Sequence, residues 1–281
     1  MKFQNVKVYN FEGALRGMRN PKNSWHLSDS FFGLADMETT EADYIVAEKW
    51  VQKDYPDYPM EENPEAERLY EVTDDWLLAN GVLERDEYNS IANCAFIGPN
   101  DMHLAQTLIK SGPEHRKFLR QIMVCVDITA PLYWWKEFDT YKVGSVANSC
   151  STMHKIQEKE FTWDDFSYEH LFRVRDCKFG EPVPTLALET TINALNYWRE
   201  KYLAALKTEE ETGLPAKDIW WQMIQLLPSS YNQTRNVMMN YEVLANIYKS
   251  RKNHKLDEWR EFCKWIEELP YSELIVGKEE D

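Results

Sequence analysis

A chain of 281 residues, 43% hydrophobic and 28% charged, can bury a substantial core as one large domain or two small ones. Its formal charge of −15 argues against a nucleic-acid-binding surface, because phosphate contacts need clustered Lys and Arg. A small anionic ligand stays open, since a few local cations suffice to hold one.

The 11 Trp and 15 Tyr supply large rigid surfaces for packing or ring stacking. The five cysteines, Cys94, Cys125, Cys150, Cys177 and Cys263, are widely spaced and contain no CxxC pair. That argues against a zinc site and for a reducing compartment. The six histidines form no HExxH pattern, so no metal is expected. No charged-then-apolar leader opens the sequence and no apolar run reaches the length of a membrane span, which predicts a cytoplasmic protein with no membrane partner.

In chain order, "MKFQNVKVYN" places Val6 and Val8 at period two behind Phe3 and predicts a first strand. Residues 36–79 are acid-rich, and "KDYPDYPMEENPEAERLYE" is broken by prolines, as in an exposed insertion with short helices. "NDMHLAQTLIKSG" combines a capping residue, apolar positions at Leu104, Leu108 and Ile109, and Gly112 as a stop, which predicts a helix. "LRQIMVCVDITAP" reads as a buried strand through Ile122, Val124, Val126 and Ile128. Pro131 is suited to open a helix over "LYWWKEFDTYK", because its missing N–H costs nothing there. A polar loop through Ser145–Thr152 follows.

The last third reads as helical. One face runs through Leu195, Trp198, Tyr202 and Leu206, and "KDIWWQMIQLL" continues until Pro228. "NQTRNVMMNYEVLANIYKSR" shows a stripe at Val237, Tyr241, Leu244 and Tyr248. "NHKLDEWREFCKWIEELP" has Asn253 as a cap and a face at Leu256, Trp259, Phe262 and Ile266. The expected fold class is α/β, in the mixed α+β sense, with a helix-rich C-terminal half.

No phosphate loop, dinucleotide glycine fingerprint or nucleophile elbow is present. Cys150 with His154 four residues on suggests a thiol nucleophile, but no local cation or helix N-terminus is visible, and small packing filler is the favoured reading. The run Ser145, Asn148, Ser149, Ser151 and Thr152 beside Trp134 and Trp135 offers the donors that a phosphate, ribose or ring edge needs. A solvated loop is the alternative. On one predicted helix, Asn240 and Arg251 are about three turns apart and share a side, with Asn246 between them. An arginine beside an apolar stripe needs an anionic or carbonyl partner, which a plain salt bridge also satisfies.

Taken together, these segments resemble the flavin-dependent thymidylate synthases, the ThyX family. "VDITAPLYWWKEFDTYKVGSVANSCSTMH" is similar to the family's strand, Ala-Pro turn and the helix that ends in its RHR-x7-S-x-R signature. "LLPSSYNQTRNVMMNYEVLANIYKSRKNHKLDEW" resembles the family's Leu-Pro segment and its Asn-containing helix ending in Arg. "NFEGALRGMRNPKNSW" and "IKSGPEHRKFLRQ" are weaker matches. Residues 36–79 and 155–220 have no counterpart.

The resemblance implies a single ThyX-like domain over 1–281 that carries an acidic insertion at 36–79. Further implications are a homotetramer, bound FAD, and transfer of a methylene from methylenetetrahydrofolate to dUMP, with NADPH reducing the flavin. Arg251 takes the catalytic role at the pyrimidine. Ser24, Thr140, Tyr141, Lys142, Asn240 and Asn246 fall on flavin-binding positions, and Glu137, Asn148, Ser149, Ser151, His154 and Lys155 on nucleotide-binding ones. The departures are pointed: the family's RHR is Thr140-Tyr141-Lys142 here, and the signature's last Arg falls on Met153. Lys136, Lys142, Lys155 and Arg235 are the cations available to compensate. Two other readings stand beside the enzyme: a non-catalytic nucleotide-binding descendant, and an interaction protein that uses the acidic insertion.

Overall fold

A computed structural model describes residues 1–32, 95–208 and 213–277. The acidic stretch 36–79 therefore lies outside the described residues. The chain divides into two compact units, Met1–Tyr9 with Ile122–Asp281, and Asn10–Gln121.

The larger unit is built on a four-stranded antiparallel sheet of β1 (Lys2–Tyr9), β4 (Met123–Pro131), β6 (Asn232–Asn240) and β5 (Ser145–Ser149), in that spatial order. Strands β2 (Phe31–Phe32) and β3 (Ala95–Phe96) belong to the smaller unit. The period-two residues of β4 turn inward as expected, with Val124, Val126 and Ile128 fully buried. Opposite them on β6 lie Met239, Val237 and Arg235.

In β1 the register slips between Gln4 and Lys7, where Asn5 takes a positive φ of 53°. Two residues of β1 thus oppose one of β4, which is a β-bulge. The bulge lets Phe3 and Val8, an odd number of residues apart, pair with the inward residues Ile128 and Val124. Phe3 then stacks on Trp265 at 4.9 Å. Val6, expected inward with Val8, is instead exposed for the same reason.

Two further expectations need correction. Residues 232–240 form strand β6, not the first half of a helix: Val237 and Met239 alternate with exposed Asn236 and Met238, and ladder hydrogen bonds to β4 and β5 decide the period. Residues 145–149 are not a loop but the edge strand β5, paired along β6 and exposed over most of its length.

Helix α3 (Leu132–Phe138) follows Pro131, which is the N-cap and not the first helical residue. The short α4 (Thr152–Lys155) comes next, then α5 (Pro184–Ala205) and α6 (Ala216–Leu226). Leu206, expected on the buried face of α5, lies just past its end and is exposed. Helices α7 (Tyr241–Arg251), α8 (Asp257–Glu267) and α9 (Glu273–Val276) complete the unit. The N-cap of α8 is Leu256, not Asn253.

Aromatic packing joins α3 to α8. Trp134 lies 4.9 Å from Trp259 and 5.6 Å from Phe262, and all three are fully buried. A second core cluster gathers Phe161, Phe166, Leu188, Leu195 and Met223 between the 156–166 segment, α5 and α6.

The smaller unit holds α1 (Phe11–Arg19) and α2 (Pro99–Lys110). Phe11, Ala14, Leu15 and Met18 make a helical stripe that buries one face of α1. The start of α2 is capped from outside the helix, because Asp29 accepts the backbone N–H of Asn100 and of Asp101. Asp101 is itself fully buried and accepts bonds from Arg19, Ser28 and Ser30. A charge can be buried there because three donors replace its water. No helix among the described residues is long and apolar enough to cross a membrane.

Candidate functional site

Arg251 is the last residue of α7, where a cation suits the negative end of the helix. Its side chain is about one-fifth exposed. Nε donates to the Tyr141 hydroxyl at 2.9 Å, and Nη1 lies 3.1 Å from Oε2 of Glu137. The guanidinium sits 4.7 Å from the Trp259 ring centroid and 5.7 Å from that of Tyr141. Glu137 Oε2 also accepts from Trp259 Nε1 at 2.9 Å and lies 3.6 Å from His254 Nε2.

Two segments distant in sequence thus build one cluster. Glu137 comes from the last turn of α3, Tyr141 from the turn after it, and Arg251, His254 and Trp259 from the α7–α8 region. The guanidinium sits over two aromatic rings while it bonds Tyr141 and Glu137 through separate nitrogens, a combination that lysine's single ammonium cannot reproduce. Among the described residues its Nη2 has no hydrogen-bond partner, so a donor remains for a carbonyl or anionic oxygen.

The flavin-assigned residues divide by what already holds them. Asn240 is buried at the end of β6 and caps α7, its Oδ1 accepting the N–H of Val243 at 3.0 Å. It therefore precedes the helix and does not share a helical side with Arg251, as the sequence reading has it. Thr140 closes the end of α3, donating its hydroxyl to the Glu137 carbonyl at 2.7 Å. Tyr141 is engaged by Arg251. Lys142 and Asn246 are exposed. Ser24 belongs to the smaller unit, where its carbonyl accepts from Arg19 at 3.3 Å.

Of the residues assigned to the nucleotide, Glu137 joins the Arg251 cluster and the others lie along β5 and α4. Asn148 pairs in register with Asn236, and Ser149 with Arg235. Ser151 caps the short α4 by accepting the N–H of His154 at 3.3 Å, and Lys155 is ion-paired with Glu158. Among the described residues, no hydrogen bond or ion pair joins Asn148, Ser149, Ser151, His154 or Lys155 to Arg251. Of the compensating cations, Arg235 is spoken for: it stacks over Trp135 at 4.3 Å and pairs with Asp139 at 2.8 Å.

His254 and Trp259 escaped the sequence reading as site residues. Trp259 is indistinguishable from a core residue by its spacing, and it is one, being fully buried. Only the closeness of Glu137 reveals its second task.

No family model and no curated protein matches the chain. Solved structures with some likeness include thymidylate synthase X (ThyX) from Helicobacter pylori with FAD and dUMP, 16% identical, TM-score 0.43, over 64% of this chain and 83% of that one. A second is flavin-dependent thymidylate synthase ThyX from Helicobacter pylori complexed with FAD and dUMP, 15% identical, TM-score 0.43, over 72% and 89%. Overlap at this level leaves function to be argued from the residues of this chain.

Proposed function

We propose that this chain binds a pyrimidine deoxynucleotide at Arg251 and, with FAD, carries out a ThyX-like one-carbon transfer, dUMP to dTMP or a related reaction. One observation carries the reading. Residues 137–141 and Arg251, singled out in segments more than 100 positions apart, meet in a single cluster. A salt bridge placed at random does not select both of those segments.

In this reading Arg251 Nη2 donates to a pyrimidine carbonyl and stabilises negative charge that develops on the ring. Glu137 and Tyr141 fix the plane of the guanidinium, and Trp259 shields one face from water. The exposed Lys142 and Asn246 fit a flavin, and Thr140, Tyr141 and Asn240 shape the turn beside it. Bound FAD supplies hydride transfer, with methylenetetrahydrofolate as carbon donor and NADPH as reductant. Ser151, whose hydroxyl hydrogen is left free by its capping role, meets the nucleotide phosphate together with Asn148, Ser149, His154 and Lys155. A homotetramer is part of the proposal.

A second reading has its own observation. The Glu137 carboxylate neutralises Arg251, and Thr140 spends its hydroxyl where the family's signature carries an arginine. Both features suit a protein that binds nucleotide without redox chemistry. A visible spectrum after incubation with FAD and desalting separates the two. Retained flavin absorption, followed by dTMP formation from dUMP, supports the enzyme. A colourless protein that dUMP still stabilises against heat supports the second reading, and absence of both effects overturns each.

A further inference from the structure

Away from the Arg251 cluster, the larger unit holds a cleft of about 500 Å³ lined by Trp163, Tyr168, Arg173, Arg175, Leu186 and Glu189, among others. That volume falls within the range of small-molecule sites. Trp163 and Tyr168 meet edge to face at 5.0 Å, and both pack on the second core cluster, so the aromatic wall is anchored. The loop that carries the arginines is tied to the start of α5, where Thr185 donates its N–H and its hydroxyl to the Phe172 carbonyl at 3.2 and 3.1 Å.

The arginines of this cleft are weakly neutralised. Elsewhere Arg19, Arg235, Arg251 and Arg260 each pair with a carboxylate. Among the described residues, the Arg173 guanidinium has no carboxylate within ion-pair distance, although Glu189 lines the same cleft. Asp176 accepts the backbone N–H of Arg173 at 3.0 Å, and Arg175 reaches Asp176 only loosely, at 3.8 Å. Two under-neutralised guanidinium groups therefore stand at the rim of an aromatic wall.

We infer that this cleft binds a planar aromatic anion, its ring against Trp163 and Tyr168 and its carboxylate or phosphate between Arg173 and Arg175. The ring buries apolar surface on a preformed wall, and the anion supplies the charge that the arginines lack. Glu189 opposes that charge and favours a ring that carries an N–H donor. The inference is independent of the function proposed for Arg251.

Calorimetric titration with indole-3-propionate, and with its uncharged amide, tests it on the full chain. The acid is expected to bind at least roughly tenfold more tightly than the amide, as one or two charge-assisted bonds allow. Replacing both arginines (Arg173→Ala with Arg175→Ala) removes that preference and leaves amide binding unchanged. Glu189→Gln tightens the acid. All three positions lie at the surface, so folding is readily verified by circular dichroism. Equal binding of acid and amide, an unchanged preference in the double variant, or no saturable binding of either probe up to about 5 mM overturns the inference.

Discussion

At the scale of single residues, Arg251 and Glu137 divide one task. Arg251→Ala removes the donor proposed for the pyrimidine carbonyl, so dUMP affinity is expected to fall by roughly tenfold or more, the loss of a charged hydrogen bond. Titration calorimetry checks this, and unchanged affinity removes Arg251 from the site. Glu137→Gln acts the other way. The amide keeps an acceptor for Trp259 but no longer neutralises the guanidinium, so dUMP is expected to bind several-fold more tightly. Both groups of the pair are partly exposed, so the stability change stays below about 1 kcal/mol. The sequence carried the Arg251 assignment through its resemblance to the ThyX helix that ends in Arg, since the apolar stripe by itself left a plain salt bridge open. It could not reveal Glu137 as the partner, because one acid among 47 has no distinguishing local pattern.

Among elements, the junction of β6 and α7 is the sensitive one. Asn240 ends the strand, caps the helix and lines the turn at Gly144, whose added Cβ would lie 2.9 Å from Asn240 Nδ2. Gly144 also adopts φ +81°, a conformation that side chains with a Cβ disfavour. Asn240→Ala is expected to cost about 1 kcal/mol through the lost cap. Gly144→Ala is expected to cost at least about 1 kcal/mol, from backbone strain and the close approach together. Urea unfolding midpoints measure both, and a neutral Asn240→Ala would show that the cap contributes nothing net. The 232–240 segment misled the sequence reading because Val237 and Tyr241, four apart, mimic a helical face. They in fact belong to different elements on either side of the cap.

At the scale of the whole molecule, burial raises the pKa of Cys263, Tyr133, Tyr231 and Tyr241 alike. Burial, then the nearby Glu267, pushes the Cys263 thiol up to about 11. Burial first, with Glu258 and Glu273 respectively adding to it, holds the Tyr133 and Tyr241 hydroxyls above the ordinary tyrosine range. Each group keeps its proton more tightly in the native state than in the unfolded chain. Their contribution to stability is therefore complete below the unfolded values and is lost as pH rises through the native ones. Denaturant midpoints measured from about pH 8 to about pH 10.5 are expected to fall steadily, and a flat profile would contradict the burial of these groups. At pH 8 a thiol reagent is expected to modify the exposed Cys150 and to spare Cys263 until the protein unfolds, as peptide mapping would show.

How much was legible follows from the range of the forces involved. Local periodicity determined the β4 strand, the bodies of α2, α5, α6 and α8, and the mixed α/β class, because hydrophobic spacing acts within a few residues, whereas the expected caps of α2 and α8 were not the ones used. The same sequence determined the strong negative charge, on which the expectation of no nucleic-acid partner rests. Only the tertiary structure decided that 145–149 is an edge strand, since a polar strand exists through the hydrogen bonds its neighbour supplies and not through its own pattern. It alone turned Val6 outward, through a bulge whose register belongs to two strands at once. Glu137, Tyr141, His254 and Trp259 were likewise gathered around Arg251 by long-range packing of α3 on α8, a contact that no local spacing encodes.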